Sequence, residues 1–173
     1  MKSGDIVLAF KGALFSRLIR LVTRRKNNPV VMTHSGIMIE SNTYMETDIR
    51  ARLSPIEALY KCEYWEIWQY PEITDLERVT ITTNAKSYFN KTYSITKLMF
   101  HAFDAILGKI LSRDIFFFRK LSKSDKYIVC SWIPSSVYHK IGIDFINPYY
   151  VATPDNIHDF LKEHNWKLVN KKV

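Results

Sequence analysis

The chain has 173 residues, 47% of them hydrophobic, and a net charge of +8, which suits one folded domain with its own core. No run of 18 apolar residues predicts a membrane span, and the start of the chain lacks a secretion signal, so we expect a cytoplasmic protein. Two cysteines are too few for a disulfide framework and have no metal-ligand spacing. The positive charge favours anionic partners.

The first half of the chain is predicted to form short strands. Alternating apolar residues and clustered aromatic residues predict them at 4–10, 30–40, 44–48 and 64–70. Residues 13–25 have helical spacing, with leucines on one stripe and arginines elsewhere. Such a basic amphipathic helix can contact an anionic surface, although packing on a core is its commoner role. Ser54 and Pro55 predict the start of a short helical turn.

The second half is predicted to be mainly helical. Helices are expected at 75–90, 95–111, 130–141 and 154–163, and a last strand at 166–169. Gly142 stands where a left-handed helix stop belongs, and Thr153 with Pro154 predicts a capped helix start. The basic loop at 112–126 encloses three consecutive phenylalanines, 116–118, which suit either packing under the loop or contact with lipid.

Cys130 is a candidate nucleophile because of its place before a helix. Pro134 is tolerated only in the first turn, which puts the helix start near Cys130. Free N–H groups and the dipole at a helix start lower the pKa of a thiol, and the Cys130 and Ser131 amides can hold an oxyanion. The alternative is a buried structural thiol, which we favour for Cys62.

A thiolate nucleophile needs a histidine to accept and return a proton. His101 lies between phenylalanines and suits a core or rim position, and His139 is about 13 Å along the same helix from Cys130. His158 and His164 are on a polar helix and are expected to be solvated. His34 is the candidate, since it lies in a strand with Gly36 on its own face, where the missing side chain would leave open space.

The group that orients the imidazole should come from the next strand. Glu40 is on the face of His34 but about 20 Å away along the same strand. A turn centred near Glu40 places Glu46 opposite His34, whereas a turn centred on Asn42 places Asp48 diagonal to it. Spacing alone leaves both registers open.

Segments in this order resemble a known enzyme family: residues 4–8, then a helix, then 33–37, 44–47 and 129–131. They are similar to the circularly permuted NlpC/P60 group of papain-like cysteine hydrolases, with bacterial and poxviral members, and more distantly to lecithin:retinol acyltransferases. Tyr93 and the 153–155 segment also match family motifs. Val129, Ser94 and Trp132 depart from the pattern, which puts substrate preference in doubt.

The resemblance implies that Cys130 is the nucleophile, His34 the base and Glu46 the orienting residue. The resemblance covers residues 4 to about 155 and implies an α+β papain-like fold, with the Cys130 helix packed on a central antiparallel sheet; we expect residues 1–173 to form this single domain. The expected activity is hydrolysis of an amide bond in a peptide or peptidoglycan-type substrate, without a cofactor or metal. The alternatives are a lipid-directed thioesterase or acyltransferase of the same chemistry, and an inactive binding domain; specific nucleic-acid binding is not expected.

Overall fold

The computed structural model describes residues 1–12, 31–112, 115, 117–121, 124 and 126–172. The predicted basic helix at 13–25, with its suggested contact to an anionic surface, therefore lies outside the described residues, as does Phe116 of the phenylalanine run.

A six-stranded, fully antiparallel sheet organises the fold, in the strand order β4-β3-β2-β1-β5-β8. Its strands are β1 (Ile6–Phe10), β2 (His34–Glu40), β3 (Thr43–Thr47), β4 (Ala51–Pro55), β5 (Tyr64–Gln69) and β8 (Lys167–Lys172). Two further strands, β6 (Thr92–Tyr93) and β7 (Tyr127–Ile128), form a short parallel pair. The four strands expected from alternation in the first half are all present.

Five α-helices and two short 3₁₀ segments complete the described part of the chain. The helices are α1 (Asp75–Lys86), α2 (Ile95–Leu111), α3 (Phe117–Lys120), α4 (Trp132–His139) and α5 (Pro154–Glu163). The 3₁₀ segments are Ile56–Lys61 and Tyr149–Val151. No helix among the described residues has the length and apolar character needed to cross a bilayer. The fold is therefore α+β.

Several helix boundaries follow from local chemistry. The Thr153 hydroxyl accepts from the Asn156 N–H, and Pro154 occupies the first helical position of α5, as expected. Gly142 has a φ of +84° just after α4, the left-handed conformation expected at a helix stop. The expected cap at Ser54 is wrong, because Ser54 belongs to β4 and the 3₁₀ segment begins at Ile56.

The sheet buries both of its faces. One face packs on the helices, with residues such as Ile6 and Leu8 in a cluster with Ile133 of α4 and Ile157 of α5. On the other face, Val7, Met38, Tyr44 and Trp65 pack with Leu59 of the first 3₁₀ segment. The even-numbered residues of β2 point to this second face, so His34 begins a strand that is covered on both sides.

Gly36 is required by the close approach of β3, not by open space beside His34. A Cβ built at Gly36 would lie 2.5 Å from the Met45 carbonyl oxygen and 3.1 Å from the Tyr44 ring. The expectation that Gly36 leaves room for a site is therefore wrong, because backbone of the neighbouring strand fills that space.

The crowding at Gly36 gives a first prediction. Gly36→Ala should lower the free energy of unfolding by about 1–3 kcal/mol, because backbone cannot move aside as a flexible side chain can. Ser35→Ala is the matched control in the same strand, since the Ser35 hydroxyl is buried without a hydrogen-bond partner in the described part of the chain. Urea denaturation of both variants checks the prediction. Equal stability of the two variants would contradict it.

Candidate active site

Cys130 follows β7 and lies beside the start of β2, whose first residue is His34. The Cys130 thiol and the His34 imidazole are close enough that each shifts the pKa of the other. The Cys130 Sγ lies 3.8 Å from the carbonyl oxygen of Thr33, and the Ser35 amide helps to lower the pKa of the thiol. The structure thus brings together the two residues that the sequence singled out, from segments almost a hundred residues apart.

Glu46 holds the His34 imidazole. Its Oε2 lies 2.7 Å from the His34 Nε2, and both side chains are buried. Because Nε2 is held by the carboxylate, Nδ1 is the nitrogen left for the sulfur of Cys130. A fixed ring with one nitrogen on a carboxylate and the other on a thiol is the arrangement that nucleophilic catalysis requires.

The strand register selects Glu46 over Asp48. Glu46 pairs directly with Gly36, so it lies diagonal to His34, and a bulge between Met38 and Glu40 shifts the pairing at the turn. Both registers considered from the sequence are therefore wrong in detail. Asp48 is exposed and pairs with Arg52 at 3.3 Å instead.

Three further residues converge on the Glu46 carboxylate, and sequence reasoning missed them all. Lys11 Nζ donates to Oε2 at 2.9 Å, and Ser54 Oγ donates to Oε1 at 2.6 Å. Arg52 donates to Oε1 from Nε at 3.2 Å and from Nη2 at 3.0 Å. Arg52 pairs with Glu46 across β3 and β4, so only the register reveals these contacts.

The local charges favour an ionised site. Burial alone would raise the pKa of the Glu46 carboxyl, but the hydrogen bond and charge of His34, with Lys11 and Ser54, hold that pKa well below its ordinary value. Burial by itself would lower the pKa of His34, yet its hydrogen bonds to Cys130 and Glu46 outweigh burial and raise it. An imidazole placed between a carboxylate and a thiolate is stabilised in its protonated, positively charged form.

The pKa of the Cys130 thiol is lowered in turn. Burial acts to raise it, and the hydrogen bond and charge of His34 more than offset burial, with smaller help from the Ser35 amide. The other thiol, Cys62, is buried as expected, and burial raises its pKa. The two cysteines of one chain are therefore opposite in electrostatic character.

Helix α4 begins two residues later than expected. Trp132 is its first residue and Ser131 is the cap position, so Cys130 lies just before the helix. The lowered pKa of the thiol comes mainly from His34, with smaller contributions from the Ser35 amide and Lys11. The Cys130 and Ser131 N–H groups have no acceptor within the described ranges, which leaves both available to an oxyanion.

A narrow cleft of about 40 Å³ reaches Cys130. Its wall includes Thr33, Tyr93, Leu98, His101 and Asp155. Cys130 itself is 7% exposed, so a substrate group must enter a tight opening. His101 is a rim residue of this cleft, as expected, and burial beside Arg119 and Lys97 lowers its pKa to about 3, which keeps it neutral at pH 7.

The remaining histidines lie outside this site. His139 is exposed, 2.7 Å from Asp144, and His164 is exposed on the carbonyl of Phe160. The expectation that His158 is solvated is wrong. His158 is 1% exposed with its Nε2 2.9 Å from Glu66, because α5 packs this side of the helix against β5.

Among residues 1–12, 31–112 and the later described ranges, no group of three or more His, Cys, Asp or Glu side chains is arranged to hold a metal ion.

Comparison with known proteins shows the fold alone. No family model matches the chain, and no curated protein matches it. The crystal structure of the metalloprotein YiiX (DUF1105) from Escherichia coli O157:H7 is similar, with a TM-score of 0.68 and 16% sequence identity. The likeness covers 99% of this chain and 97% of that one, so it extends over the whole architecture.

Proposed function

We propose that the protein is a cysteine hydrolase of the permuted NlpC/P60 type, with Cys130 as nucleophile, His34 as base and Glu46 as orienting group. The observation that carries the proposal is the buried cluster in which Glu46 holds the His34 imidazole at 2.7 Å and His34 lowers the pKa of the Cys130 thiol. Its residues have the identities and the chain order implied by the resemblance. A papain-like fold agrees with the α+β sheet and with α4 packed on it.

The reaction proposed is acyl transfer from an amide to water in two steps. The Cys130 thiolate attacks the carbonyl carbon, and the electron pair of the C=O bond moves to oxygen, near the Cys130 and Ser131 N–H groups. The intermediate collapses as His34 gives its proton to the leaving amine, which yields a thioester. His34 then removes a proton from water, which attacks the thioester and returns the thiolate.

Glu46 has a positioning role in this scheme. Its carboxylate holds the Nε2 side of the ring and stabilises the charged imidazole, and Lys11, Arg52 and Ser54 hold the carboxylate in turn. Since its pKa is far below neutral, Glu46 stays ionised throughout the cycle and takes no proton from His34.

A lipid-directed thioesterase or acyltransferase of the same chemistry is the second candidate. It is favoured by one observation: α2, which contributes Leu98 and His101 to the cleft, has large apolar side chains on its solvent side. An acyl chain is a substrate that such a neighbourhood suits. The third candidate is an inactive binding domain. Its Cys130 would lack the reactivity in mild acid that we expect of either enzyme.

The lowered pKa of Cys130 predicts reactivity in mild acid. Between about pH 8.5 and pH 5.5, the thiolate fraction of an ordinary cysteine falls about 500-fold, whereas alkylation of Cys130 by iodoacetamide should slow by a clearly smaller factor because its pKa is lowered. Peptide mapping by mass spectrometry measures Cys130 and Cys62 in the same sample. Cys62, with its raised pKa, is the internal control and should stay unmodified in the folded protein.

His34→Ala tests whether His34 is the cause of the lowered pKa of Cys130. Without the imidazole, burial dominates and the pKa of Cys130 rises, so alkylation at about pH 5.5 should fall by at least tenfold relative to the unaltered protein. If Cys130 and Cys62 were alkylated equally slowly in the folded protein, or if His34→Ala changed nothing, the hydrolase proposal would be refuted in favour of a binding domain.

A further inference from the structure

Helix α2 has the reverse of the usual amphipathic orientation. Its polar residues at helical spacing, Lys97 and Asp104, are 5% and 0% exposed and point into the protein. The Lys97 ammonium lies 3.7 Å from the centre of the Trp132 ring, and Asp104 accepts from the backbone and side chain of Arg119. The helix is therefore anchored by polar and cationic contacts.

The opposite side of α2 is apolar and faces solvent. Spacings of four and three residues place a single stripe along the helix, formed by Ile95, Met99, Phe103, Ile106 and Ile110. Every one of them is at least 45% exposed, and Ile95 and Ile110 reach 67% and 70%. We call this stripe the α2 face.

The apolar surface continues beyond the helix. Phe117 and Leu121, 63% and 66% exposed, extend it, and Phe118 joins them to α2 through ring contacts with Phe103 at 5.7 Å and Phe117 at 5.3 Å. Half of the exposed large hydrophobic side chains in the described ranges fall within residues 95–121. Exposed apolar surface of this extent marks an interaction site.

The positive charges near the α2 face favour an anionic binding partner. The described residues between 91 and 126 include six Lys and Arg and one Asp, a net charge of +5, and three of the cations, Lys109, Lys120 and Lys126, are exposed. Lys120, beside the face, is exposed, whereas the acid on α2 itself, Asp104, is fully buried. Apolar side chains bordered by cations suit a helix that lies in the headgroup region of an anionic bilayer.

We propose that the α2 face docks the protein onto an anionic lipid surface. Leu98 and His101, on the flank of the same helix, line the cleft that reaches Cys130, so docking would bring the mouth of the cleft to the lipid. The docking surface is built from residues outside the hydrogen-bonded site and does not depend on the proposed chemistry. Combined with that chemistry, it favours an acyl substrate delivered from a membrane.

Vesicle flotation of the full chain tests this surface. The unaltered protein should float with phosphatidylcholine vesicles that contain phosphatidylserine, and more weakly with phosphatidylcholine alone. Ile95→Glu combined with Ile110→Glu should reduce binding at least tenfold, because each substitution removes a large apolar side chain from the lipid contact and adds a repelled charge.

A charge-matched control isolates the α2 face. Leu76 and Val79 of α1 are 76% and 60% exposed, so Leu76→Glu with Val79→Glu makes the same change in net charge, from +8 to +6, on another helix. This control should float within about twofold of the unaltered protein. Circular dichroism confirms that both variants fold, and Ile110→Glu alone replaces the double variant if it does not.

Several outcomes would overturn the docking proposal. They are absence of flotation by the unaltered protein, equal loss in the two double variants, and a dimer that only the α2 variant dissociates, which would assign the face to a second copy of the chain. Cys130→Ala should float normally. If the protein does not float with vesicles, only the docking proposal is refuted. If Cys130 is unreactive in mild acid, only the hydrolase proposal is refuted.

Discussion

Under the proposed cysteine-hydrolase function, replacing Cys130 by alanine is expected to lower the rate of hydrolysis by at least about 10³-fold, while the fold survives. The reason is that His34 lowers the pKa of Cys130 alone, whereas burial raises the pKa of the other cysteine, Cys62. His34→Ala should cause a loss of similar size, because the thiol then lacks both its proton acceptor and the positive charge that stabilises its ionised form.

The matched control for this experiment is Cys62→Ala. It removes a buried thiol of similar exposure, so it reports the cost of losing a packed sulfur without touching the site. Initial rates on amide, ester and thioester substrates, with thermal melts of each variant, form the measurement. Full activity in Cys130→Ala on any of these substrates would remove Cys130 from the mechanism.

Loss of Glu46 is expected to have the largest effect on stability. Glu46→Ala leaves His34 and Lys11 without their carboxylate partner in a buried setting, and breaking a buried ion pair costs about 3–5 kcal/mol. Glu46→Gln keeps the shape and removes only the charge, so its cost should be smaller. In both variants the pKa of Cys130 should rise, because the charged form of His34 is less favoured.

The pH dependence of stability follows from the direction of the Glu46 shift. The folded-state pKa of Glu46 is lowered from an ordinary value of 4.5, so its contribution is fully present above that pH and is lost as the pH falls towards the folded-state pKa. The unaltered protein should therefore lose stability steadily below about pH 4.5, and Glu46→Gln should lose less over the same range.

Urea denaturation at a series of pH values measures this difference. Asp48→Asn is the control: Asp48 is an exposed carboxylate paired with the same Arg52, and its removal should cost at most about 1 kcal/mol. An acid profile of Glu46→Gln as steep as that of the unaltered protein would show that other carboxyl groups govern the acid transition.

The sequence alone was sufficient for the elements whose signals are local. The strand over 64–70, the helix over 95–111 and the capped start at Thr153 were predicted from spacing and capping chemistry, and the structure has them at or near those positions. Cys130 and His34 stood out because each lies at an unusual place in its own element. These signals survive without tertiary contacts because they depend on neighbours within one turn or one strand.

Only the tertiary structure decided how the elements meet. The bulge after Met38 set the register that put Glu46 on the imidazole and Arg52 and Ser54 on Glu46, and a bulge leaves no mark in an alternating pattern. A helical stripe shows that α2 is amphipathic but not which side faces the core. That choice was made by the buried contacts of Lys97 and Asp104, which hold the polar side inward and leave the apolar side exposed to solvent.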